Sequence, residues 1–284
     1  RRWVTIPHGE YVFHFEGGHA PGPNLTEKNI LFFGNIRPYK GLTYLLRAFQ
    51  LVREEVPGAR LLIVGQPIED FTPYQKEIDL LGMEKDVEVQ LKYVPNEEVV
   101  EVFARATVVA LPYTDVCQSG VLLLAYGAGI PVVATSVGDL GDAVEDGQTG
   151  LLVPPEDIPA LREALVTLLS KPDLCRKMGQ RAKEVADTEY NWSRIAKRTV
   201  EFYRTLRPPS KRGINNNFHD EKGHPFCQVN AYTMLSVAAP WSHWSRFVFL
   251  ITRAGPICGP YCGLCANSTQ PAQPTASWSW TTPR

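Results

Sequence analysis

The stretch that decides the fold reads Asn-Ile-Leu-Phe-Phe-Gly-Asn-Ile-Arg-Pro-Tyr-Lys-Gly and spans residues 29–41. It begins as an almost continuous apolar run and ends in a loop that contains glycine, proline and two cations. A short apolar run without polar alternation is typical of a strand buried on both faces of a parallel sheet. Apolar residues then recur at spacings of three and four over residues 42–52, which predicts a helix directly after the loop.

The same order of strand, loop and helix repeats along the chain as far as residue 153. The strand-like runs are Ile30–Ile36, Arg60–Val64, Val87–Leu91, Thr107–Leu111, Pro131–Thr135 and Gly150–Val153. Helical patterns cover Tyr74–Leu81 and Glu97–Arg105, begin again near Gly120, and recur over Ile158–Leu169, Leu174–Ala186 and Trp192–Leu206. Units of this length require right-handed crossovers. We therefore predict an α/β fold with a doubly wound, Rossmann-like parallel sheet and an added helical C-terminus.

Composition divides the chain into three parts. Residues 1–28 lack a regular pattern and are interpreted as a connector from a missing N-terminal domain, and residues 29–207 form the predicted domain. Residues 208–284 hold only eight of the 59 Lys, Arg, Asp and Glu residues, but four of the six Trp. We expect this tail to be irregular and disordered, either as unselected sequence from a frame shift or read-through, or as a lineage-specific extension.

Charge and hydropathy restrict the classes of partner. The net charge of -1 at pH 7 gives no global attraction to nucleic acid. No run approaches the roughly 18 uninterrupted apolar residues of a membrane span, and no secretory signal is visible at residues 1–9. We expect a cytoplasmic protein without a nucleic-acid partner, whose association with membranes would be possible only through the absent domain.

The loops after the strands are the candidate ligand site, because open α/β sheets bind ligands at the carboxyl ends of their strands. In the first loop, Gly34 permits close approach of the backbone, while Arg37 and Lys40 supply a planar fork and a compact cation. This pair suits a diphosphate. Cations are unfavourable at a helix start unless an anion lies between them, and the alternative is two solvated side chains.

Two further loops carry weaker signals. Ser119 and Gly120, in the loop Pro112–Val121, stand at a helix start and fit either a phosphate cradle or an ordinary serine cap. The loop Ser136–Asp142 has two glycines among polar residues, which fits a hydroxyl-binding edge or a tight turn.

Taken together, these segments resemble the C-terminal domain of retaining GT-B glycosyltransferases of the large group 1 family. The resemblance covers roughly residues 1–207 and rests on a combination of phrases rather than on any single one. Those phrases are residues 32–41, 61–65, 118–121, 129–135, 145–153 and 190–193.

The resemblance implies a function for this domain. It binds a nucleoside diphosphate sugar and, joined to its N-terminal acceptor half, transfers the sugar to an acceptor, without a cofactor or an obligatory metal. Arg37 and Lys40 take the catalytic role of stabilising charge on the leaving diphosphate. Tyr93 and Val94 hold the base, largely through the backbone. The remaining residues that bind the sugar donor are Gly34, Asn35, Gln118, Ser119, Gly120, Val121, Asp139 and Asp142.

Two departures from the family pattern affect this transfer of roles. Many members have arginine where this chain has Asn35, so we expect Arg37 to reach the same anion. Many also carry two glutamates at the positions of Val116 and Leu124. The candidate substitutes for their sugar contacts are Asp139 and Asp142.

Other interpretations remain open at this point. A non-catalytic nucleotide-binding module and a nucleotide-sugar epimerase are the alternative functions. His8, in the connector, is interpreted as a structural or hinge residue rather than a catalytic one. Cys258, Cys262 and Cys265 cluster closely, but Cys227 stands 31 positions before the first of them and no second close pair exists. We therefore expect no metal site.

Overall fold

A six-stranded parallel sheet between two helical layers forms the described part of the chain. The computed structural model describes Val4, residues 6–11 and residues 20–205. The predicted tail, its cysteines and the boundary after residue 207 lie outside these residues. The strands are β1 (Lys28–Phe33), β2 (Ala59–Val64), β3 (Val87–Gln90), β4 (Val108–Leu111), β5 (Val132–Thr135) and β6 (Gly150–Val153).

Helices connect and follow the strands. They are α1 (Leu42–Glu55), α2 (Thr72–Leu80), α3 (Asn96–Ala104), α4 (Gly120–Gly127), α5 (Gly138–Ala143), α6 (Ile158–Ser170), α7 (Pro172–Thr188) and α8 (Trp192–Thr205). None of the helices in the described ranges is long and apolar enough to cross a membrane.

The strand order is β3-β2-β1-β4-β5-β6, and every pairing is parallel. The chain builds outward from β1 to β3, returns to place β4 on the other side of β1, and then builds to β6. Ile30 of β1 pairs with Leu61 of β2 on one side and with Val108 of β4 on the other. This order leaves a crevice between the carboxyl ends of β1 and β4. The predicted doubly wound α/β fold is confirmed.

Two apolar cores lie on the two faces of the sheet, because successive side chains of a strand point to opposite faces. Ile30 and Phe32 pack with α1, α2 and α6 on one face. Leu31 and Phe33 pack with α3, α4 and much of α7 on the other. All four side chains are at least nine-tenths buried. The strands are therefore apolar on both faces, which is the reason that they read as continuous apolar runs.

The structure corrects two predicted elements. The first strand ends at Phe33 instead of Ile36, because Gly34 adopts φ +90° and turns the chain out of the sheet. A short 3-10 turn, Pro38–Lys40, then precedes α1. The segment predicted as an edge or turn at residues 136–142 instead contains the helix α5. The other described bounds agree with the prediction to within two residues, except that α1 continues three residues past residue 52, to Glu55.

Candidate functional site

The crevice is formed by two loops that are held against each other. The loop after β1 and the loop after β4 are joined by a hydrogen bond of 2.8 Å from the Thr114 amide to the Tyr39 carbonyl. Gly41, at φ +69°, packs so closely that a Cβ atom there would overlap the carbonyl oxygen of Pro112. A residue with a side chain is therefore excluded from the point where the first loop enters α1.

The loop after β2 supports the first loop from its other side. The amide of Ile36 donates to the carbonyl of Gln66 at 2.9 Å. Gly65 approaches the carbonyl of Gly34 so closely that a Cβ atom would overlap it. The backbone of the first loop is thus fixed on both sides at the edge of the sheet.

Lys40 is a buried cation in this crevice. Its residue is 7% exposed, and its Nζ donates to the carbonyl oxygen of Phe33 at 3.3 Å. Burial, and then the positive charge of Arg37, lower the pKa of Lys40 to about 8. No carboxylate in the described part of the chain forms an ion pair with either side chain. A buried cation without a counter-charge is costly, and the crevice therefore favours an anion.

Gly34 and Val121 border this cation. A Cβ atom on residue 34 would lie 3.0 Å from the Lys40 Nζ and 3.5 Å from a methyl carbon of Val121. The absence of a side chain at Gly34 therefore keeps the space beside the ammonium group open. Arg37 is exposed at the mouth of the same loop. The structure brings Gly34, Lys40 and Val121 together, with Arg37 close enough to influence the charge of Lys40.

Ser119 begins helix α4 as its N-cap. Its Oγ accepts a hydrogen bond of 3.2 Å from the Leu122 amide. The side chain therefore forms the serine cap, which is one of the two roles that fit the sequence. The first amides of α4, on Gly120 and Val121, have no intrahelical acceptor because of their position in the helix. Together with the helix dipole, they favour an anion at this end.

A cavity of about 500 Å³ lies beside the start of α4. It brings together five residues predicted to bind the sugar donor, from two different loops. Its walls are Pro7, His8, Tyr11, Gln118, Ser119, Gly120, Leu122, Leu123, Asp139, Leu140, Asp142, Ala143 and Tyr190. Burial, and then the carboxylates of Asp139, Glu189 and Glu145, raise the pKa of the Tyr190 hydroxyl, which remains neutral at physiological pH. The first turn of α4 borders both spaces, because Ser119 and Gly120 line the cavity and Val121 lies beside Gly34 in the Lys40 crevice.

The connector forms one wall of the cavity, which the sequence analysis did not anticipate. The Glu10 amide donates to the Tyr190 carbonyl at 2.8 Å, and the Trp192 Nε1 donates to the Glu10 carbonyl at 2.9 Å. A Cβ atom on Gly9 would overlap the Trp192 ring. Tyr190 and Trp192 belong to segment 190–193, one of those that resemble the family. No local sequence pattern, however, predicts their contact with residues 9 and 10.

Three predicted residues are not among those that line the cavity. Asn35 is exposed on the loop after β1. Tyr93 is 66% exposed on the loop after β3, while Val94 is buried in the core on the α3 and α4 side of the sheet. The structure does not bring these three to the cavity, and their assignment to nucleotide binding stays a prediction.

The described residues offer no group of side chains for a metal ion. Val4, residues 6–11 and residues 20–205 contain no cluster of three or more His, Cys, Asp or Glu side chains that could hold an ion. Within the same ranges, Cys117 is exposed, Cys175 is buried, and both are free thiols. The set formed by Cys227, Cys258, Cys262 and Cys265 lies outside the described residues.

Comparison with known proteins identifies relatives of the domain. The chain is 35% identical over 199 residues to a D-inositol 3-phosphate glycosyltransferase from Corynebacterium urealyticum. That alignment covers 68% of this chain and 47% of the relative. The chain therefore spans about half the length of the curated relatives that it matches.

Solved structures share the fold. Sucrose-phosphate synthase from Thermosynechococcus elongatus superposes with a TM-score of 0.61 at 25% identity, over 71% of this chain and 52% of that one. Anabaena HepE, in complex with UDP and glucose, superposes with a TM-score of 0.61 at 20% identity, over 71% of this chain and 56% of that one.

A family model also matches the segment that carries the crevice. The model described as "Glycosyl transferases group 1" covers residues 27–171, which is just over half of the chain. The matched segment runs from the start of β1 to the end of α6 and includes the loops that hold Lys40 and Ser119. The resemblance stated from the sequence is confirmed: the chain belongs to the group 1 family of glycosyltransferases.

Proposed function

We propose that this chain is the donor-binding half of a glycosyltransferase. It binds a nucleoside diphosphate sugar and, with an acceptor-binding half, transfers the sugar to an acceptor. Curated relatives of about twice the matched length carry glycosyltransferase names, which supports transfer over a non-catalytic module or an epimerase. The acceptor half would correspond to the part of those relatives that this chain does not match.

The observation that carries the proposal is the buried Lys40 in the crevice between β1 and β4. Its ammonium group has no carboxylate partner in the described ranges, and Arg37 adds a second positive charge beside it. The start of α4 adds amide donors and a positive dipole end from the neighbouring loop. Three positive groups that converge on one open space fit a diphosphate.

The same groups would act in the reaction. As the acceptor hydroxyl attacks the anomeric carbon, the bond to the diphosphate breaks and negative charge grows on the leaving oxygens. Lys40 and Arg37 would neutralise that charge from a site that is already oriented and partly shielded from water. The proposed reaction requires no cofactor, and the two cations supply the electrostatic role in this half.

The remaining predicted residues complete the proposed site. Gly34 and Asn35 would line the backbone path of the diphosphate, and the loop with Tyr93 and Val94 would hold the base. The cavity that contains Gln118, Ser119, Gly120, Asp139 and Asp142 would take the sugar, since it adjoins the start of α4. Anabaena HepE was solved with UDP and glucose, a ligand pair of the same chemistry as the proposed one.

Calorimetric titration of the full chain with UDP, GDP and ADP tests the proposal. We expect one nucleotide to bind, and Lys40→Met and Arg37→Ala each to weaken it about ten- to a hundredfold. This range corresponds to the loss of a charged hydrogen-bond partner, about 1.5–3 kcal/mol. Methionine is chosen at position 40 because it keeps the buried stem while removing the charge.

Matched controls separate the site from general charge effects. Lys28→Met removes a lysine at the opposite end of β1, whose Nζ donates to the Pro57 carbonyl at 3.2 Å. Arg47→Ala removes an arginine that pairs with Glu77 on the outer helices. Both should leave nucleotide affinity unchanged. Failure of all three nucleotides to bind a chain with native circular dichroism would contradict the proposed function.

A further inference from the structure

We propose that His8 and Tyr11, on the connector, form one wall of the subsite that holds the hexose of the donor. The inference rests on the proposed function, because it concerns the sugar of the same donor ligand. It gives the connector a role in substrate binding, in place of the hinge or structural role that its sequence suggests.

The connector is fixed to the domain at the position that this role requires. Its backbone is anchored by Glu10, whose amide donates to Tyr190, between α7 and α8, and whose carbonyl accepts from the indole of Trp192, the first residue of α8. The Trp192 ring packs on Gly9 and meets the His8 ring edge-on, with centroids 5.5 Å apart. A pure linker needs neither a buried glycine nor an indole N–H directed at its backbone.

Two side chains of the connector then border the cavity. The rings of His8 and Tyr11 stack with centroids 5.2 Å apart and an interplanar angle of 24°. Tyr11 reaches the start of α4, where its ring would lie 3.3 Å from a Cβ atom placed on Gly120. Glycine at position 120 therefore leaves room for the tyrosine ring as well as exposing the helix amides.

The cavity adjoins the place proposed for the diphosphate. Gly120 and Ser119 border the cavity, while Val121, the next residue, borders the Lys40 crevice. A sugar attached to a diphosphate at the start of α4 would therefore enter the cavity directly. Tyr11 stands at this junction.

The chemistry of the lining matches a sugar. Asp139 and Asp142 offer carboxylate oxygens, which accept hydrogen bonds from hydroxyl groups. The Nδ1 of His8 lies 2.6 Å from the Gly9 carbonyl oxygen, which can only accept, so Nδ1 carries the proton. In the neutral ring Nε2 is then an acceptor. Tyr11 presents an aromatic ring on which the C–H face of a hexose can pack.

The size of the cavity also suits a sugar. The cavity volume of about 500 Å³ is within the range of small-ligand sites.

The test compares a nucleotide with its sugar derivative in the full chain. For each variant we would measure the ratio of the Kd for UDP-glucose to the Kd for UDP, by calorimetry. If GDP is the nucleotide that binds, GDP-mannose and GDP are used instead. Tyr11→Ala should raise this ratio about three- to tenfold while leaving the Kd for the nucleotide alone unchanged.

Additional variants keep the outcome clear if Tyr11→Ala folds poorly. Tyr11→Phe keeps the ring, so its Kd ratio should stay close to that of the unsubstituted chain. His8→Ala removes the second wall residue and should raise the Kd ratio. Tyr203→Ala, a half-exposed tyrosine on α8, is the matched control and should change neither constant. Lys40→Met should weaken both ligands equally.

Two results would overturn the inference, and they differ from failure of the proposed function. An unchanged ratio in both Tyr11→Ala and His8→Ala, with nucleotide binding intact, would remove the connector from the subsite. An equal weakening of nucleotide and nucleotide sugar by Tyr11→Ala would show that Tyr11 supports the helix start instead. If the unsubstituted chain binds no nucleotide, the proposed function itself fails and the inference fails with it.

Discussion

At the scale of single residues, Lys40 shows how burial converts a common side chain into a site. Lysine ordinarily has a pKa near 10.4 and remains fully charged at neutral pH. Here burial and the neighbouring Arg37 lower the pKa to about 8, so the ammonium group holds its proton weakly. An anion placed beside it would restore the proton affinity. Ligand binding and protonation of Lys40 are therefore coupled.

This coupling predicts that nucleotide affinity falls as pH rises above about 8. In the free protein Lys40 loses its proton around that pH, while the bound diphosphate raises the pKa of Lys40. Between these two pKa values, the Kd should rise by up to about tenfold per pH unit. Below pH 7 Lys40 contributes no further change. Calorimetry at pH 7, 8, 9 and 9.5, in buffers with different ionisation enthalpies, would also detect the proton taken up on binding.

Two variants isolate the lysine as the source of this dependence. Lys40→Met should bind weakly with no pH dependence above 8, because position 40 no longer titrates. Lys28→Met, at the other end of β1, should keep the full dependence. A Kd that is flat from pH 7 to 9.5 in the unsubstituted chain would show that Lys40 does not contact the nucleotide.

At the scale of elements, the site depends on how closely the loops after β1 and β4 approach each other. Gly41 is both the end of the 3-10 turn and the N-cap of α1, and its φ of +69° is one that glycine adopts without strain. Its α-carbon lies against the carbonyl of Pro112. The two loops can therefore bring Lys40 and the start of α4 to one crevice.

We expect Gly41→Ala to damage the site far more than Gly58→Ala. Both glycines have positive φ, +69° and +80°, so each substitution carries a backbone cost of about 1–2 kcal/mol. A Cβ atom on Gly58 would meet nothing within 4 Å, whereas one on Gly41 would overlap the Pro112 carbonyl oxygen. Gly41→Ala should therefore cost more than about 3 kcal/mol of unfolding free energy and weaken nucleotide binding.

Urea denaturation and nucleotide titration of both variants provide the measurement. Gly58→Ala should lower only the free energy of unfolding and should keep the nucleotide affinity of the unsubstituted chain. Equal losses of stability in the two variants would mean that the contact with Pro112 is not a close one in solution.

At the scale of the whole molecule, Lys40 opposes the stability of the unliganded fold. In the unfolded chain its pKa returns to about 10.4, so between pH 8 and pH 10.4 the unfolded state binds more protons than the folded state. The free energy of unfolding should therefore increase with pH across that window. Below pH 8 the full cost of the buried charge is present.

Lys40→Met should accordingly stabilise the unliganded chain at pH 7. A pKa lowered by more than two units corresponds to roughly 3 kcal/mol, so we expect a gain of about 1–3 kcal/mol. The gain should shrink as pH rises from 8 to 10.4, because the unsubstituted lysine is then neutral in the folded state. Urea denaturation at pH 7 and pH 9.5 measures both parts.

A matched control variant and the stabilisation by bound nucleotide provide two further comparisons. Lys28→Met should change stability by less than about 0.5 kcal/mol, because Lys28 lies near the surface. Nucleotide at a hundred times its Kd should stabilise the unsubstituted chain by about 2.7 kcal/mol and Lys40→Met by much less. A loss of stability in Lys40→Met at pH 7 would show that the ammonium group has a compensating partner.

The amino-acid sequence by itself determined the class of fold and the central part of the site. Runs such as Ile30–Phe33 are apolar on both faces, which is typical of strands in a covered parallel sheet, and that pattern is local. The loop with Gly34, Arg37 and Lys40 follows such a run directly. Its position at the edge of the sheet could therefore be inferred from chain order.

Only the tertiary structure decided how the remaining residues meet. The helix α5 was missed because its six residues, with two glycines and two aspartates, have no apolar periodicity. The indole N–H of Trp192 bonds to the Glu10 carbonyl across 182 positions of the chain, a contact that no local pattern encodes. That contact docks the connector and creates the cavity with His8 and Tyr11. Local chemistry fixes strands and loops, whereas a cavity exists only once distant segments pack together.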